Sequence, residues 1–411
     1  MSLKMIRLGA VAEINPRRLQ IDLTDAEMVT FVPMDAVDET TGAITASRPR
    51  PFGEVKKGYT AFTDGDVIFA KVTPCMQNGK HAIADNLLNG LGFGSTEFHV
   101  VRPGPHISSE WVYYFLRRQE TLDAAKKTIN GAVGLQRVPP SFLEEVELLL
   151  PDIDAQCRIT QNLKGQLATI EQARQAAQAQ LNEIRLLKTQ ALKAVFAAIE
   201  DSCLLGDVAR IQSGYAFKSE TFKKQGVGLL RNANMAPGRV YWDDAVYLSP
   251  AAAPAHAAYA LVAGDVLISL DRPIISTGIK VARVAASDLP ALLVQRVGRF
   301  RIDETRLNAD YLYAFLHTEP FIEAISGHEQ SLGVPHVSPG QIEAIEIPLP
   351  GIEEQRRLAV ILNNIAQATR EAQIAAELQL RDIELLPSRL LSAVFGPVSS
   401  TQDDAELVSD D

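Results

Sequence analysis

Two stretches of the chain carry an apolar stripe at helical spacing over more than forty residues. Between Asp154 and Ala198 the apolar or small positions are Ile159, Leu163, Ile170, Ala173, Ala177, Leu181, Ile184, Ala191 and Val195. Their steps of three, four and seven are those of one face of a long helix. The stretch has no Pro and a single Gly, Gly165, and is rich in Ala, Gln, Leu, Lys and Arg, which favour helix. About 45 residues at 1.5 Å each make a rod of roughly 65 Å. Such a rod cannot bury its stripe alone. Glu353 to Val394 offers the partner, with Leu358, Leu362, Ile365, Ala372, Ala376, Leu380, Ile383, Leu390 and Val394 on its own stripe. The pattern predicts two antiparallel helices in a coiled-coil-like pair. Ile159, Leu163, Ile170, Leu181 and Ile184 would pack against Leu358, Leu362, Ile365, Leu380 and Ile383.

The regions before the two rods also repeat. They alternate short β-rich runs with turns, for instance Phe31 to Met34, Gly58 to Phe62, Asp66 to Val72 and Ser95 to Val101. Glu110 to Lys127 then reads as one amphipathic helix, and Val146 to Leu150 as a last strand. Five blocks recur in the same order at offsets of about 200 residues. Arg7-Leu8-Gly9 lies over Leu204-Leu205-Gly206, and Gly65-Asp66-Val67 over Gly264-Asp265-Val266. Trp111 to Leu116 lies over Tyr311 to Leu316, and Gly134 to Val138 over Gly333 to Val337. The approaches and exits of the rods match as well, with Leu150-Pro151 over Leu349-Pro350 and Ala194-Val195-Phe196 over Ala393-Val394-Phe395. The stretches 15–57 and 214–257 do not align. The predicted class is α+β: two similar α/β domains with an internal pseudo-twofold repeat, separated by the two long helices. The predicted boundaries are 1–151, 152–200, 201–350, 351–396 and an acidic disordered tail, 397–411. One difference between the rods stands out. Pro387 occupies the place of Lys188, and a helix-interior proline removes a hydrogen bond and clashes with the preceding turn. This predicts a break near Pro387, with Ser388 to Phe395 a separate short helix.

Bulk properties add limits. With 411 residues, 46% hydrophobic and 22% charged, the chain has the makeup of a globular protein of two or three domains. It has no apolar run long enough for a transmembrane helix. Its first residues lack a signal-peptide core, and Met5 is a candidate natural start. The three cysteines, Cys75, Cys157 and Cys203, are far apart and fit a reducing cytoplasm. The net charge of −10 argues against nucleic acid at first sight. Half of it, however, sits in the tail as Asp403, Asp404, Glu406, Asp410 and Asp411. Residues 1–150 carry 16 basic against 18 acidic side chains, and 201–350 carry 13 against 16. Each half therefore has room for a basic face.

Catalytic motifs are absent. Asn15-Pro16-Arg17-Arg18 is not the Asn-Pro-Pro-aromatic box of an adenine methyltransferase, and there is no Walker A loop. Gly92-Phe93-Gly94-Ser95 lacks the spacing of a dinucleotide loop or nucleophile elbow. Asp35 followed by Glu54-Val55-Lys56 has nuclease residue types, but acidic residues ahead of a Glu-x-Lys are common by chance. The seven histidines make no His-x-x-x-His pair and no cluster with cysteine. The expected catalytic, cofactor and metal residues are therefore none.

The doubled order of Leu-Gly turns, Gly-Asp-Val blocks, Leu-Pro…Gln approaches and Ala-Val-Phe exits resembles the specificity (S) subunits of Type I restriction-modification systems, over residues 5–396. The resemblance implies two target-recognition domains, each reading half of a bipartite, asymmetric sequence in double-stranded DNA. It implies helices that fix the spacing and dock two methyltransferase (M) subunits, with restriction (R) subunits joining them in the cytoplasm. S-adenosylmethionine, ATP and Mg would belong to those partners. A non-catalytic protein-interaction scaffold with two repeated domains is the alternative. DNA-contact candidates are polar residues in loops between the shared blocks. In the first half they are Arg17, Arg18, Arg48, Arg50, Lys56, Lys57, Lys71, Gln77, Asn78, Lys80, Gln136 and Arg137. In the second they are Lys218, Lys223, Lys224, Arg231, Asn232, Asn234, Arg272, Lys280 and His336. Arg137 and His336 align as one repeated position, and Lys71 and Arg272 align to within two residues.

Overall fold

The computed structural model describes residues 4–17, 22–129, 136–326 and 336–396. The chain forms two compact units: Met1–Ala177 with Gln379–Asp411, and Gln178–Leu378. Both rods exist, as helices Ile153–Ala197 and Ile352–Phe395. Each is divided between the units.

Unit 1 begins with strand β1 (Lys4–Arg7), and its first four-stranded sheet contains β2 (Ala12–Ile14). Strands β3 (Met28–Val32), β4 (Arg48–Pro51) and β5 (Thr60–Thr63) follow. Next come β6 (Val67–Ala70), β7 (His81–Ile83), β8 (Leu91–Gly94) and β9 (Phe98–Pro103). The last strand, β10 (Glu147–Leu150), pairs with β1. One sheet has the order β2-β9-β6-β7 and the other β4-β3-β8-β5. The turn after β1 approaches the backbone ahead of β10. The Leu8 N–H donates to the Val146 carbonyl at 2.9 Å. A Cβ on Gly9 would lie 2.8 Å from the Glu144 carbonyl oxygen, so only glycine fits.

The core of unit 1 combines Leu8, Val67, Phe69, Trp111, Phe115 and Leu148 with residues from both long helices. Leu163 comes from the start of the first helix, and Leu391 and Phe395 from the end of the second. The Phe395 ring packs on Trp111 at 4.6 Å and on Phe115 at 6.0 Å. Start meets end, so the helices are antiparallel here.

Unit 2 repeats the plan with its own side chains. Strand β11 is Ser202–Leu204, β12 Ala209–Ser213, β13 Val227–Leu230 and β14 Tyr247–Leu248. Then come β15 (Val266–Ser269), β16 (Val281–Arg283), β17 (Ala291–Leu293), β18 (Val297–Ile302) and β19 (Glu346–Pro348). Antiparallel β12 and β18, β18 and β15, and β15 and β16 make the sheet that matches β2-β9-β6-β7. Strand β13 lies between β14 and β17. Here the end of the first long helix meets the start of the second. Leu192 and Phe196 share a core with Ala359 and Leu362. Phe196 packs on Tyr311 at 5.1 Å and on Phe315 at 5.7 Å, as Phe395 does on its pair.

A glutamine fastens each rod to its domain. Gln156 is fully buried. Its Oε1 accepts from the Ser108 N–H, and its Nε2 donates to the His106 and Pro151 carbonyls, all at 2.9 Å. Gln355, also fully buried, makes the same three bonds with Asn308, Arg306 and Pro350, at 2.8–2.9 Å.

The structure corrects three expectations. The seam of the first helix runs Leu163, Leu167, Ile170, Arg174, Ala177, Leu181, Ile184, and Ala173 is exposed. Ala372 is exposed in the same way, and Gln373 takes its place on the seam. These alternating steps of four and three have the 3.5-residue period of a left-handed coiled coil. Arg174 can occupy the seam because its stem is apolar while its guanidinium reaches Glu171 at 2.8 Å. Second, the last helix does not break at Pro387; it continues as one element to Phe395. Leu390, Leu391, Val394 and Phe395 are packed against the unit 1 core, and that burial holds the last turns in line. Third, residues 110–127 form two helices, Ser109–Leu116 and Gln119–Lys127. Arg118 is extended between them, and its buried guanidinium donates to the Gly396 carbonyl. The tail, 397–411, lies outside the described residues.

Two stability measurements test this account. Replacing Gln156 with Met orphans three backbone groups, at about 1–3 kcal/mol each where they stay buried. The thermal midpoint should fall by roughly 10 °C or more, and Gln355→Met should behave alike; an unchanged midpoint would show that the glutamines are dispensable. Pro387→Ala should raise stability by about 1–3 kcal/mol in denaturant unfolding, because Ala is the better helix residue by about 3 kcal/mol. A loss would mean that the proline makes a contact of larger value.

Candidate nucleic-acid interface

Strand registers decide which loops meet. In unit 2, Ser213 pairs with Gly298 and Ser269 with Val297. Leu230 lies beside Leu293 in a parallel pair. The chain therefore leaves β12, β13, β15 and β17 at one common end. The turn between β17 and β18 ties these loops together. Tyr215 donates its N–H to the Leu293 carbonyl at 3.0 Å, and its own carbonyl accepts from Gln295 at 2.9 Å. Val294 donates to the Leu230 carbonyl at 3.1 Å, and Leu270 to the Arg296 carbonyl at 2.9 Å. His336 joins them through a bridge to Asp271.

Unit 1 has the same convergence. Ile14 pairs with Val101, Ala70 with Phe98, and Val32 lies beside Gly94. Arg137 bridges Val72 as His336 bridges Asp271. Val138 donates to the Lys71 carbonyl and Val337 to the Leu270 carbonyl, both at 2.9 Å. So Lys71 corresponds to Leu270, and Arg272 has no basic counterpart one strand-end over. This is the two-residue offset between Lys71 and Arg272 that the sequence alignment gives. Arg137 and His336 do occupy equivalent places.

The candidates sort by these positions. At the convergent end lie Arg17, Lys71, Gln77, Asn78, Lys80, Gln136 and Arg137 in unit 1. Arg48, opposite Phe31 near the end of β3, is exposed, and the Arg50 guanidinium lies over the Phe31 ring at 4.4 Å. Lys56 and Lys57 belong to the opposite end of that sheet, where Lys56 pairs with Asp25 at 2.5 Å. In unit 2, Lys218, Arg231, Asn232, Arg272 and His336 are at the convergent end. Lys223 and Lys224 are not, because Lys223 bridges Tyr247 beside the start of β13. Arg18 lies outside the described residues.

Two candidates are structural instead. Asn234 is fully buried, and its amide accepts from the Arg231 N–H and donates to the Tyr241 carbonyl. Lys280 is buried with its ammonium on the Asn232 carbonyl and amide oxygens, at 3.0 and 2.8 Å. Burial lowers its pKa below the usual lysine range. Of the convergent-end candidates, Lys80 donates to the Val37 carbonyl at 2.9 Å, and Asn78 to Glu39 at 3.3 Å.

The electrostatics are balanced rather than plainly basic. Arg137 makes a two-pronged pair with Glu97 at 2.7 Å, which holds the Glu97 carboxyl below its usual range. Arg296 pairs with the buried Asp271 at 2.8 Å. Each pair fixes a guanidinium in one orientation at a loop end. Arg272 and Arg296 also have positive φ, +48° and +68°. Non-glycine residues adopt that conformation at a cost and gather at functional loops.

Sequence reading missed Arg296, Tyr215 and Arg117. Arg117 threads the unit 1 loops, donating to the Gly79, Thr40 and Glu39 carbonyls at 2.7–3.0 Å. None of these has a motif; only the strand registers bring them to the site. Among the described residues, no group of three or more His, Cys, Asp or Glu is placed to hold a metal. Among the same residues, no helix is long and apolar enough to cross a membrane.

Comparison with known proteins agrees with this layout. Residues 201–380 match the family model described as Type I restriction modification DNA specificity domain. The specificity subunit of the Type I restriction enzyme EcoAI, from Escherichia coli, is 29% identical over 88% of this chain and 77% of its own length. A solved chain from work on complex assembly and conformational transition of the type I R-M system superposes with a TM-score of 0.76 at 20% identity. That match covers 96% of this chain and 98% of the other. The HsdS subunit from Thermoanaerobacter tengcongensis gives 0.64 at 21% identity, covering 96% of each. Both likenesses establish the fold. Residues 201–380 thus match a Type I restriction modification DNA specificity domain, and most of the chain is similar to a Type I restriction enzyme specificity subunit.

Proposed function

We propose that this chain is the DNA-reading subunit of a Type I restriction-modification complex. Each unit reads one half of a bipartite, asymmetric target through its convergent loops. The observation that carries this is the repeat of one loop end on two scaffolds with different side chains. Arg137, bridged to Val72 and paired with Glu97, occupies the place that His336, bridged to Asp271, occupies in the other unit. Guanidinium groups read guanine edges, carboxylates accept from cytosine, and amides read adenine. Different sets at equivalent positions select different bases.

In this reading the long helices set the separation of the half-sites and dock two methyltransferase subunits, and restriction subunits join that core. S-adenosylmethionine, ATP and Mg act on those partners. The chain contributes recognition and positioning, with no chemistry of its own.

Two experiments check the reading. A hybrid in which residues 1–150 come from another specificity subunit should change one half-site of the methylated motif and keep the other, as seen by methylome sequencing. A change in both halves would refute independent heads. Within the native complex, Arg137→Ala should relax base preference in one half-site and His336→Ala in the other. Arg137→Ala should also lower the slope of log affinity against log salt by about one if the group contacts phosphate. Loss of preference in both half-sites from either variant would contradict the assignment.

A further inference from the structure

We propose that Tyr215 is an aromatic wedge that packs its ring against a nucleotide of the half-site read by unit 2. The inference rests on the DNA-reading function and names a contact that the charge pattern does not reveal. Tyr215 is 40% exposed, high for an aromatic side chain, and it stands among the convergent loops. Its ring is backed by three others: Phe217 at 4.9 Å, His256 at 4.5 Å and Tyr259 at 5.4 Å. The backbone is fixed as well. Its N–H and carbonyl are both bonded to the β17–β18 turn. A Cβ on the preceding Gly214 would lie 2.2 Å from the Val294 carbonyl oxygen, so the chain is pressed against that turn.

The ordinary alternative is that the ring merely completes the core. Phe217 already does that, buried with Leu229, Leu248, Leu292 and Val294, and Tyr215 is not a member of that cluster. What remains is an exposed, backed aromatic at the same loop end as exposed Arg272 and Lys218 and the Asp271-paired Arg296. Such a group loses little conformational freedom on binding. An aromatic face stacks on a base as an aliphatic side chain does not. In unit 1 the sequence from Asn15 to Thr30 contains no aromatic residue. The chain leaving β2 reads Asn15-Pro16-Arg17, and Asn15 is turned back onto Val100 and His99. The contact is therefore confined to one half-site.

The test uses the assembled methyltransferase complex, a labelled duplex carrying its methylated motif, and a random duplex. Tyr215→Ala should weaken motif binding about ten-fold or more, with the salt slope unchanged and random-duplex binding nearly intact. Tyr215→Phe should stay within about two-fold of the native complex. Tyr215→Leu still covers the three backing rings but has no π-face, and it should lose affinity as the Ala variant does. Lys218→Ala, by contrast, should lower the salt slope. Native-like motif binding by either the Ala or the Leu variant, or an equal loss on both duplexes, overturns the wedge. A native complex that shows no preference for its motif would instead overturn the DNA-reading function itself.

Discussion

A helix of about 45 residues with one apolar stripe has no stable existence alone in water, and covering two such stripes governs how this chain is built. Neither domain closes with its own sequence neighbours. Unit 1 needs Leu391 and Phe395, nearly 300 residues beyond Trp111, to fill the space over its aromatic pair. Unit 2 takes Phe196 from the helix that precedes it. Burying a side chain of this size is worth roughly 1.5–3 kcal/mol, a sizeable share of the marginal stability of a domain. The last turns of the last helix are thus part of the first domain's core. This also accounts for the helical course through Pro387: the burial of Leu391 and Phe395 outweighs a local preference to stop.

The glutamines show how the same constraint reaches the loops. Gln156 and Gln355 each bind the loop ahead of a domain helix and the proline carbonyl at the start of a rod. Each pins the rod to the helix that carries Trp111 or Tyr311. That helix packs against the sheet, and the sheet sets where its strand ends lie. Rod, helix, sheet and reading loops form one chain of contacts in each unit, and every link except the loops is repeated in the other.

What the sequence reveals follows from this. The rods, the five shared blocks and the aromatic exits are local patterns, and they are legible. The seam phase is harder: a 3.5-residue seam drifts from an ideal helix by about 20° per heptad. By mid-rod, Ala173 and Arg174 have changed places relative to a simple apolar reading. The break between Leu116 and Gln119 depends on Arg118 finding the Gly396 carbonyl at the far end of the chain. At the reading end the limits are sharper. Asn234 and Lys280 look like surface loop residues and are buried by bonds to Arg231 and Asn232. Lys71 and Arg272 both follow the repeated Gly-Asp-Val strand, and the bridges Val72–Arg137 and Asp271–His336 keep them two residues out of step. Arg296 and Tyr215 belong to no motif and join the site only because β17 runs beside β13.

The charge balance, finally, is better suited to selective reading than a basic patch would be. A field of free lysines holds any duplex, because phosphate contacts carry no sequence information. In both units a guanidinium at the shared loop end is already paired, Arg137 with Glu97 and Arg296 with Asp271. Exchanging a carboxylate for a random phosphate gains little. Exchanging it for a guanine edge, while the carboxylate takes a cytosine amine, satisfies both partners. A near-neutral head thus resists nonspecific binding, and its fixed geometry lets a matching sequence compete with the internal pair. On this view the acidic balance of the protein, which at first speaks against DNA, is part of how it discriminates.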